Sequence, residues 1–421
     1  MLPYWYSKRE PLYTLPLSED CTVDVVIVGG GIAGLSCAQI LSAAGKKVAI
    51  VEREFCGSGA SGKAAGFILQ DSELELGELI RTHGVDGAKK LWEFVGGGVE
   101  QIRNNIQEHN LSCDYQKEDS MFVANNQTSK HFIQEERESR SKLGYQFEVY
   151  EQPALQQAIN SPRYTAGIRY TGTFGIDPFA YCQELSELLQ KQGVHIFENT
   201  GVQQIEKDRV ITARGTVFAE HIVVCADRFI PEFDKLQSEI YHIQTFVGVT
   251  KSLTDEQVKL LFPSGNLLVW DTDLIYHYFR VTGENKLLLG WADVMYTYSP
   301  NPAKHYGRFA PHLRAYFAKT FPQFPIEFER IWPGMLGVTK DLLPIMGPDE
   351  IHDSIWYAGA ATGLPWASAL GAYSAERILN ERNDFDNVFS SKRKFTIGPR
   401  VQKMLTKPLS FALSHALIKY L

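Results

Sequence analysis

The run Asp24-Val-Val-Ile-Val28 passes directly into Gly29-Gly30-Gly31-Ile32-Ala33-Gly34, and an apolar helical pattern continues to Ala44. No other feature narrows the possible folds as much. A short, unbroken run of β-branched residues reads as a strand buried on both faces of a parallel sheet. The G-x-G-x-x-G after it suits a turn with three demands: tightness at Gly29, backbone approach of a pyrophosphate at Gly31, and close helix–sheet packing at Gly34. The helix beginning at Ile32 and Ala33 offers N–H groups and a positive dipole end to the phosphates. Gly45 stops that helix, Lys47–Val51 reads as a second buried strand, and Glu52 follows it. A carboxylate there can accept from a ribose diol and repels a 2′-phosphate, which disfavours NADP. Strand, turn, helix, second strand and acid together predict dinucleotide binding. They do not separate FAD from NAD.

The chain has 421 residues, more than one simple core accommodates. Helical patterns over 76–108 and 178–192 alternate with strand-like runs at His195–Phe197 and Ile222–Cys225. Residues 241–291 are β-rich, with Leu267–Trp270, Tyr276–Phe279 and Lys286–Gly290 as strand candidates. The expected class is α/β (α+β overall): a Rossmann-like nucleotide domain carrying an inserted, mainly antiparallel β-sheet substrate domain. The nucleotide domain is expected from residues 20–100, 160–235 and 325–385, the substrate domain from 101–159 and 236–324, and a basic tail from 386–421. A net charge of −7 argues against a nucleic-acid partner. The six cysteines show no C-x-x-C spacing, so neither a metal site nor a disulfide framework is expected. The first residues show no signal-peptide pattern, and no run of 18 apolar residues is present. A cytoplasmic location is the expectation.

A second glycine-rich stretch, Gly57 to Gly66, follows the acid. Taken alone it is either a flexible loop or backbone bare enough to pass a ribityl chain and an isoalloxazine ring. With Gly59-Ala-Ser-Gly-Lys63, the chain resembles the amino-acid oxidase superfamily of flavoproteins, most closely the gamma-glutamylputrescine oxidases, with glycine and sarcosine oxidases more distant. The likeness extends over Tyr4-Trp5, Gly175-Ile-Asp-Pro178, Tyr278 with Arg280, Gly334 to Thr339 with Gly347, Thr362-Gly363 and the tail from Phe385. It departs at Ser61-Gly-Lys-Ala-Ala-Gly66, at Ala226-Asp227-Arg228 and at Thr362-Gly-Leu-Pro365, where the family often has other residues.

The resemblance implies FAD and hydride transfer from a C–H beside a neutral amine nitrogen to flavin N5, with oxygen or another electron acceptor completing the cycle. It implies flavin contacts at Arg53, Ser61, Gly62, Lys63, Ala64, Gly66, Phe67, Val202, Ala226, Gly334, Leu336, Gly363, Leu364 and Pro365, besides the fingerprint residues. No side chain is obliged to act as acid or base, and no catalytic residue is assigned. The Cys that attaches flavin in sarcosine-oxidase-like members falls near Gly337, and the N-terminal flavin loop has no His, so FAD is expected to be non-covalent. The Arg that grips a substrate carboxylate in glycine-oxidase-like members falls at Leu336. The Lys used with oxygen falls near Leu288. Tyr276, Tyr278, Trp291 and Trp366, with Phe67, either line an amine pocket through cation–π contacts or pack the sheet. Arg280 either binds substrate or pairs with an acid. The tail from Pro408 places Leu409, Leu413, Leu417 and Leu421 on one helical face. Packing on the body is the favoured reading there, and a membrane contact the other. A dye- or quinone-linked dehydrogenase and a non-catalytic flavoprotein stand as alternative functions.

Overall fold

The computed structural model describes residues 2–273, 276–293 and 309–395, together with Leu405, Leu409 and Leu413. The expected βαβ unit is present: strand Cys21–Val28, helix Ile32–Ala43, strand Val48–Val51. Around it a parallel sheet forms. Val48–Val51 pairs with His195–Phe197 on one side, and Cys21–Val28 with Thr216–Val224 on the other. The far end of that last strand pairs with Ile355–Gly359. The central strand order is therefore that of a doubly wound dinucleotide fold, whose ligands lie beyond the carboxyl ends of the strands. Val202–Glu206 and Arg209–Thr212 add an antiparallel pair at the edge.

Among the described residues the second sheet has eight strands. Phe328–Val338, Tyr241–Ser252, Lys286–Asp293, His277–Val281 and Leu267–Asp271 follow one another antiparallel. Asp119–Ala124 then joins Leu267–Asp271 in parallel. Alternation sorts the strand His277–Val281. Phe279 and Val281 enter a core with Leu313 and Phe317 of helix Phe309–Thr320, whereas Tyr278 packs toward Trp5 and Trp332. The long helix Leu76–His109 is broken at Gly84. Asp177 caps the helix Pro178–Lys191 by accepting from the amides of Phe179 and Ala180, as Ser/Asp caps do.

No cysteine is in a disulfide, and all but Cys21 are buried. Among the described residues no helix is long and apolar enough to cross a membrane. The start of the tail is anchored: Phe389 packs 4.9 Å from Phe94, and Arg393 pairs with Asp341 at 2.6 Å. Of the helix expected after Pro408, Leu409 and Leu413 are described, both helical and exposed; the rest lies outside the described residues.

Candidate active site

The cradle is built where the parallel strands end. Gly31 caps the helix Ile32–Ala43 with no side-chain acceptor of its own. Ser61 Oγ reaches across to accept from Ile32 N at 3.1 Å. A Cβ on Gly34 would meet Gly29 O at 2.0 Å, so only glycine lets the helix start this close to the turn. A Cβ on Gly31 would meet nothing nearer than Ser61 Oγ at 3.2 Å; the space before it is open. Ala33 turns its carbonyl to Gly371 of the helix Leu364–Ile378, and Ala226 lies beside Gly29.

Glu52 is 9% exposed and accepts from Gly30 N at 2.7 Å, Glu54 N at 2.9 Å and Ser58 Oγ at 3.3 Å. Burial pushes its carboxyl up, and those donors oppose the shift. Arg53 and Arg228 lie over the Phe229 ring at 4.2 and 3.8 Å. Burial lowers the Lys63 ammonium, and the positive charges of Arg228 and Arg53 lower it further. Three cations thus gather near Glu52 and Glu54, positive charge of the kind a pyrophosphate pairs with. Val202 follows Gly201, whose Cβ position is 3.7 Å from Arg53 Cγ.

The loop after Ser61 is pinned from three distant parts of the chain. Trp332 Nε1 donates to Lys63 O at 2.9 Å, Trp5 Nε1 to Ala64 O at 2.8 Å, and Arg280 Nε to Ala65 O at 2.9 Å. Gly62 is buried, and Gly66 packs on Ile176 and Arg280. On the far side, Gly363 opens the helix Leu364–Ile378, with Leu364 and Pro365 buried. Thr362 Oγ1 beside it is buried without a hydrogen-bond partner. Gly334 sits on Phe328–Val338 opposite Thr245. An open cradle at Gly31, a cation trio and an orphaned buried hydroxyl fit a flavin dinucleotide laid from the fingerprint to the last loop.

The expected substrate side chains divide. Tyr276 and Tyr278 lie 5.9 Å apart, and Tyr278 meets Phe67 edge-on at 5.5 Å. All three keep some accessible surface, as cleft-lining residues do. Trp366 is buried against Phe94 and donates to Asp71 O at 3.0 Å. Trp291 is not with them. It pairs with His277 in register and stacks on His312 at 4.0 Å, so it belongs to the opposite face of the sheet. Arg280 also needs correction. It is fully buried, and besides Ala65 O its guanidinium donates to Ile176 O. It clamps the flavin loop and is not free for a substrate carboxylate. Leu336 pairs with Ile243, and both pack as an apolar wall on the core that holds Leu364 and Trp366.

No metal was expected, yet Asp271, Asp273 and His277 come within 4.8 Å of one another on the face away from the flavin loop. Both carboxylates have partners within the protein. Arg163 pairs with Asp273 at 3.3 Å and Tyr316 donates to Asp271 at 2.7 Å. Burial opposes charge on His277, but the two carboxylates outweigh it and raise its pKa.

Asp227 is a residue whose role the sequence does not reveal. It takes a left-handed φ of 46°, and its carboxylate accepts from Gly337 N at 2.9 Å and Ala360 N at 3.0 Å. It thereby ties three chain segments together under the cradle. Its nearness fills the space where a side chain at Gly337 would lie.

This fold and this cradle define a flavin-dependent oxidoreductase. Residues 24–377 match the family described as FAD dependent oxidoreductase, DAO, and the chain belongs to it. It is 28% identical to the gamma-glutamylputrescine oxidoreductase of Escherichia coli, over 90% of this chain and 88% of that protein. Glycine oxidase from Geobacillus kaustophilus has the same fold, with a TM-score of 0.75, 18% identity, and coverage of 90% of this chain and all of that one. L-proline dehydrogenase from P. horikoshii matches with a TM-score of 0.73 at 19% identity, over 88% of this chain and 96% of that one. FAD is the cofactor, held non-covalently. Acid precipitation of the yellow protein is expected to release all of its flavin into the supernatant; colour retained in the pellet would contradict this.

Proposed function

We propose that the protein oxidises a C–N bond in a small amine, as in a gamma-glutamylated diamine, in preference to a simple α-amino acid. The parallel-sheet body serves as the cofactor domain, and the eight-stranded sheet supplies the substrate wall. Bound FAD would supply the hydride acceptor at flavin N5. The chain's own residues place the substrate, exclude water and set the charge of the cleft.

The observation that carries this reading is the apolar wall that Leu336 and Ile243 form against the core holding Leu364 and Trp366, while Arg280 of the same sheet is committed to backbone carbonyls. An α-carboxylate beside the reacting carbon would there be desolvated without a cation, which is costly. Aromatic faces at Tyr276, Tyr278 and Phe67 suit an amine instead. Anaerobic flavin reduction by glycine, sarcosine, putrescine and gamma-glutamylputrescine tests it. Either diamine is expected to reduce the flavin at least about tenfold faster than the two amino acids, about 1.4 kcal/mol in barrier. Faster bleaching by glycine or sarcosine overturns the reading.

A second reading concerns the electron acceptor. Leu288 is fully buried in an apolar cluster with Trp5 and Trp332, an aliphatic side chain where the resemblance places the lysine used with oxygen. A dye- or quinone-linked dehydrogenase is favoured by that observation. Reoxidation of the substrate-reduced protein by air and by a quinone, compared as rates, decides between the two.

A further inference from the structure

We propose that Glu73, hydrogen-bonded by Tyr276, is a cation-binding carboxylate of the substrate cleft, so that the preferred substrate carries a second positive charge away from the carbon being oxidised. This rests on the amine reading above and narrows its substrate class to amines that carry a second ammonium group.

Glu73 is placed by contacts that begin at the flavin loop. Phe67 directly follows Gly66 and meets Tyr278 at 5.5 Å; Tyr278 lies 5.9 Å from Tyr276; Tyr276 OH donates to Glu73 Oε1 at 3.1 Å. The segment is held from its other side by Trp366, which donates to Asp71 O at 3.0 Å. Glu73 thus stands one aromatic pair beyond the flavin loop, between the two segments that close the cofactor cradle.

Among the described residues its surroundings lack a balancing charge. Among the described residues no lysine or arginine acts on Glu73; burial pushes its carboxyl up, and only the Tyr276 hydroxyl opposes that. The nearest strand guanidinium, Arg280, is turned onto Ala65 O and Ile176 O. Arg140, the other deeply buried cation of this region, pairs with Glu136 and covers the Tyr170 ring at 3.5 Å. Asp71, two residues away, adds a second carboxyl that burial holds up at about 7. A carboxylate desolvated by protein without a cation is unfavourable unless a ligand supplies one. Glu73 nevertheless retains accessible surface, as do Tyr276 and Tyr278. Being enclosed yet reachable is the condition of a side chain that lines a cleft. One Glu73 oxygen takes the Tyr276 hydroxyl, the other remains for an ammonium, and the tyrosine faces add cation–π attraction.

The test uses the flavin-loaded protein and a probe that cannot react: putrescine methylated twice at each nitrogen-bearing carbon, which has no C–H beside either nitrogen. Its partner is the monoamine of the same skeleton, with hydrogen in place of one amino group. Calorimetry is expected to give at least about tenfold tighter binding of the diamine, and Glu73→Gln is expected to erase that preference. Flavin absorbance and melting temperature should hold in the variant, and Glu73→Asp, which keeps the charge, should restore part of the preference. Equal binding of the two probes by the wild-type protein, or an unchanged preference in Glu73→Gln, overturns the proposal. A Glu73-dependent preference for the dication, in a protein whose flavin no amine bleaches, would uphold this site and sink the amine-oxidation reading instead. Bleaching by amines without any dication preference would do the reverse.

Discussion

Gly31→Val is expected to yield a folded but colourless protein. Gly31 has an ordinary φ of −77°, so a β-branched residue is sterically permitted by the backbone. Within the polypeptide its Cβ would meet only Ser61 Oγ, at 3.2 Å, and that hydroxyl can give by the few tenths of an ångström needed. The empty space in front is where the dinucleotide's pyrophosphate must approach the backbone. Filling it with two methyl groups should weaken FAD binding by at least about a hundredfold, close to 2.7 kcal/mol. Gly34→Val is the contrast. There the new Cβ falls 2.0 Å from the Gly29 carbonyl, so strand, turn and helix cannot coexist and the fold itself should fail. Far-ultraviolet circular dichroism and flavin absorbance after desalting separate the two. A yellow Gly31 variant would refute the cradle, and an unfolded one would refute the claim that the space is reserved for ligand.

What could be read from the sequence was local. The fingerprint is legible because strand, turn, helix and acid occupy consecutive stretches whose backbone demands are met by nearby residues. Alternation along Tyr276–Arg280 separates His277 from its neighbours, since side chains on a strand point to opposite faces. It cannot place Trp291. That residue's face depends on the register pairing it with His277 across two strands, which no local pattern encodes. Trp5 and Trp332 are legible as aromatic residues but not as donors to Ala64 O and Lys63 O, because the acceptors are backbone atoms of a glycine-rich loop far along the chain. Asp227 reads in the sequence as a departure from the family's pattern. Only the convergence of Gly337 and Ala360 on its carboxylate supplies the reason for an acid there. Glu73 escaped notice for a related cause. A glutamate in the acidic stretch from Asp71 to Glu75 reads as a solvated charge until Tyr276 and Trp366 are seen to enclose its segment.

Arg280→Ala is expected to cost both stability and flavin, although the sequence alone leaves this position between substrate binding and pairing with an acid. The side chain is fully buried, and its charge is sustained by the carbonyls of Ala65 and Ile176 and by nearby acids, Glu118 foremost. Truncation leaves a cavity and two carbonyls without their donor. Removing one partner from a buried charged network typically costs about 3–5 kcal/mol, a large fraction of a domain's stability. The damage falls on Ala65, in the loop that passes the cofactor, so flavin should leak on desalting. Glu118 adds a pH signature. Burial already holds its carboxyl up at about 7, with Arg280 the main opposing charge. Without Arg280 it rises further, so the folded state binds a proton more tightly than the unfolded one over a wider range. Stability then falls as pH rises through that range, and the variant should lose more stability than the wild type between about pH 6 and pH 8. Arg280→Lys, which keeps the charge but not the planar fork, should fall between the two. Melting temperature and retained flavin at both pH values provide the measurement. A variant that melts with the wild type and stays yellow would show that Arg280 clamps nothing, and would return it to the substrate-facing role its strand position suggests.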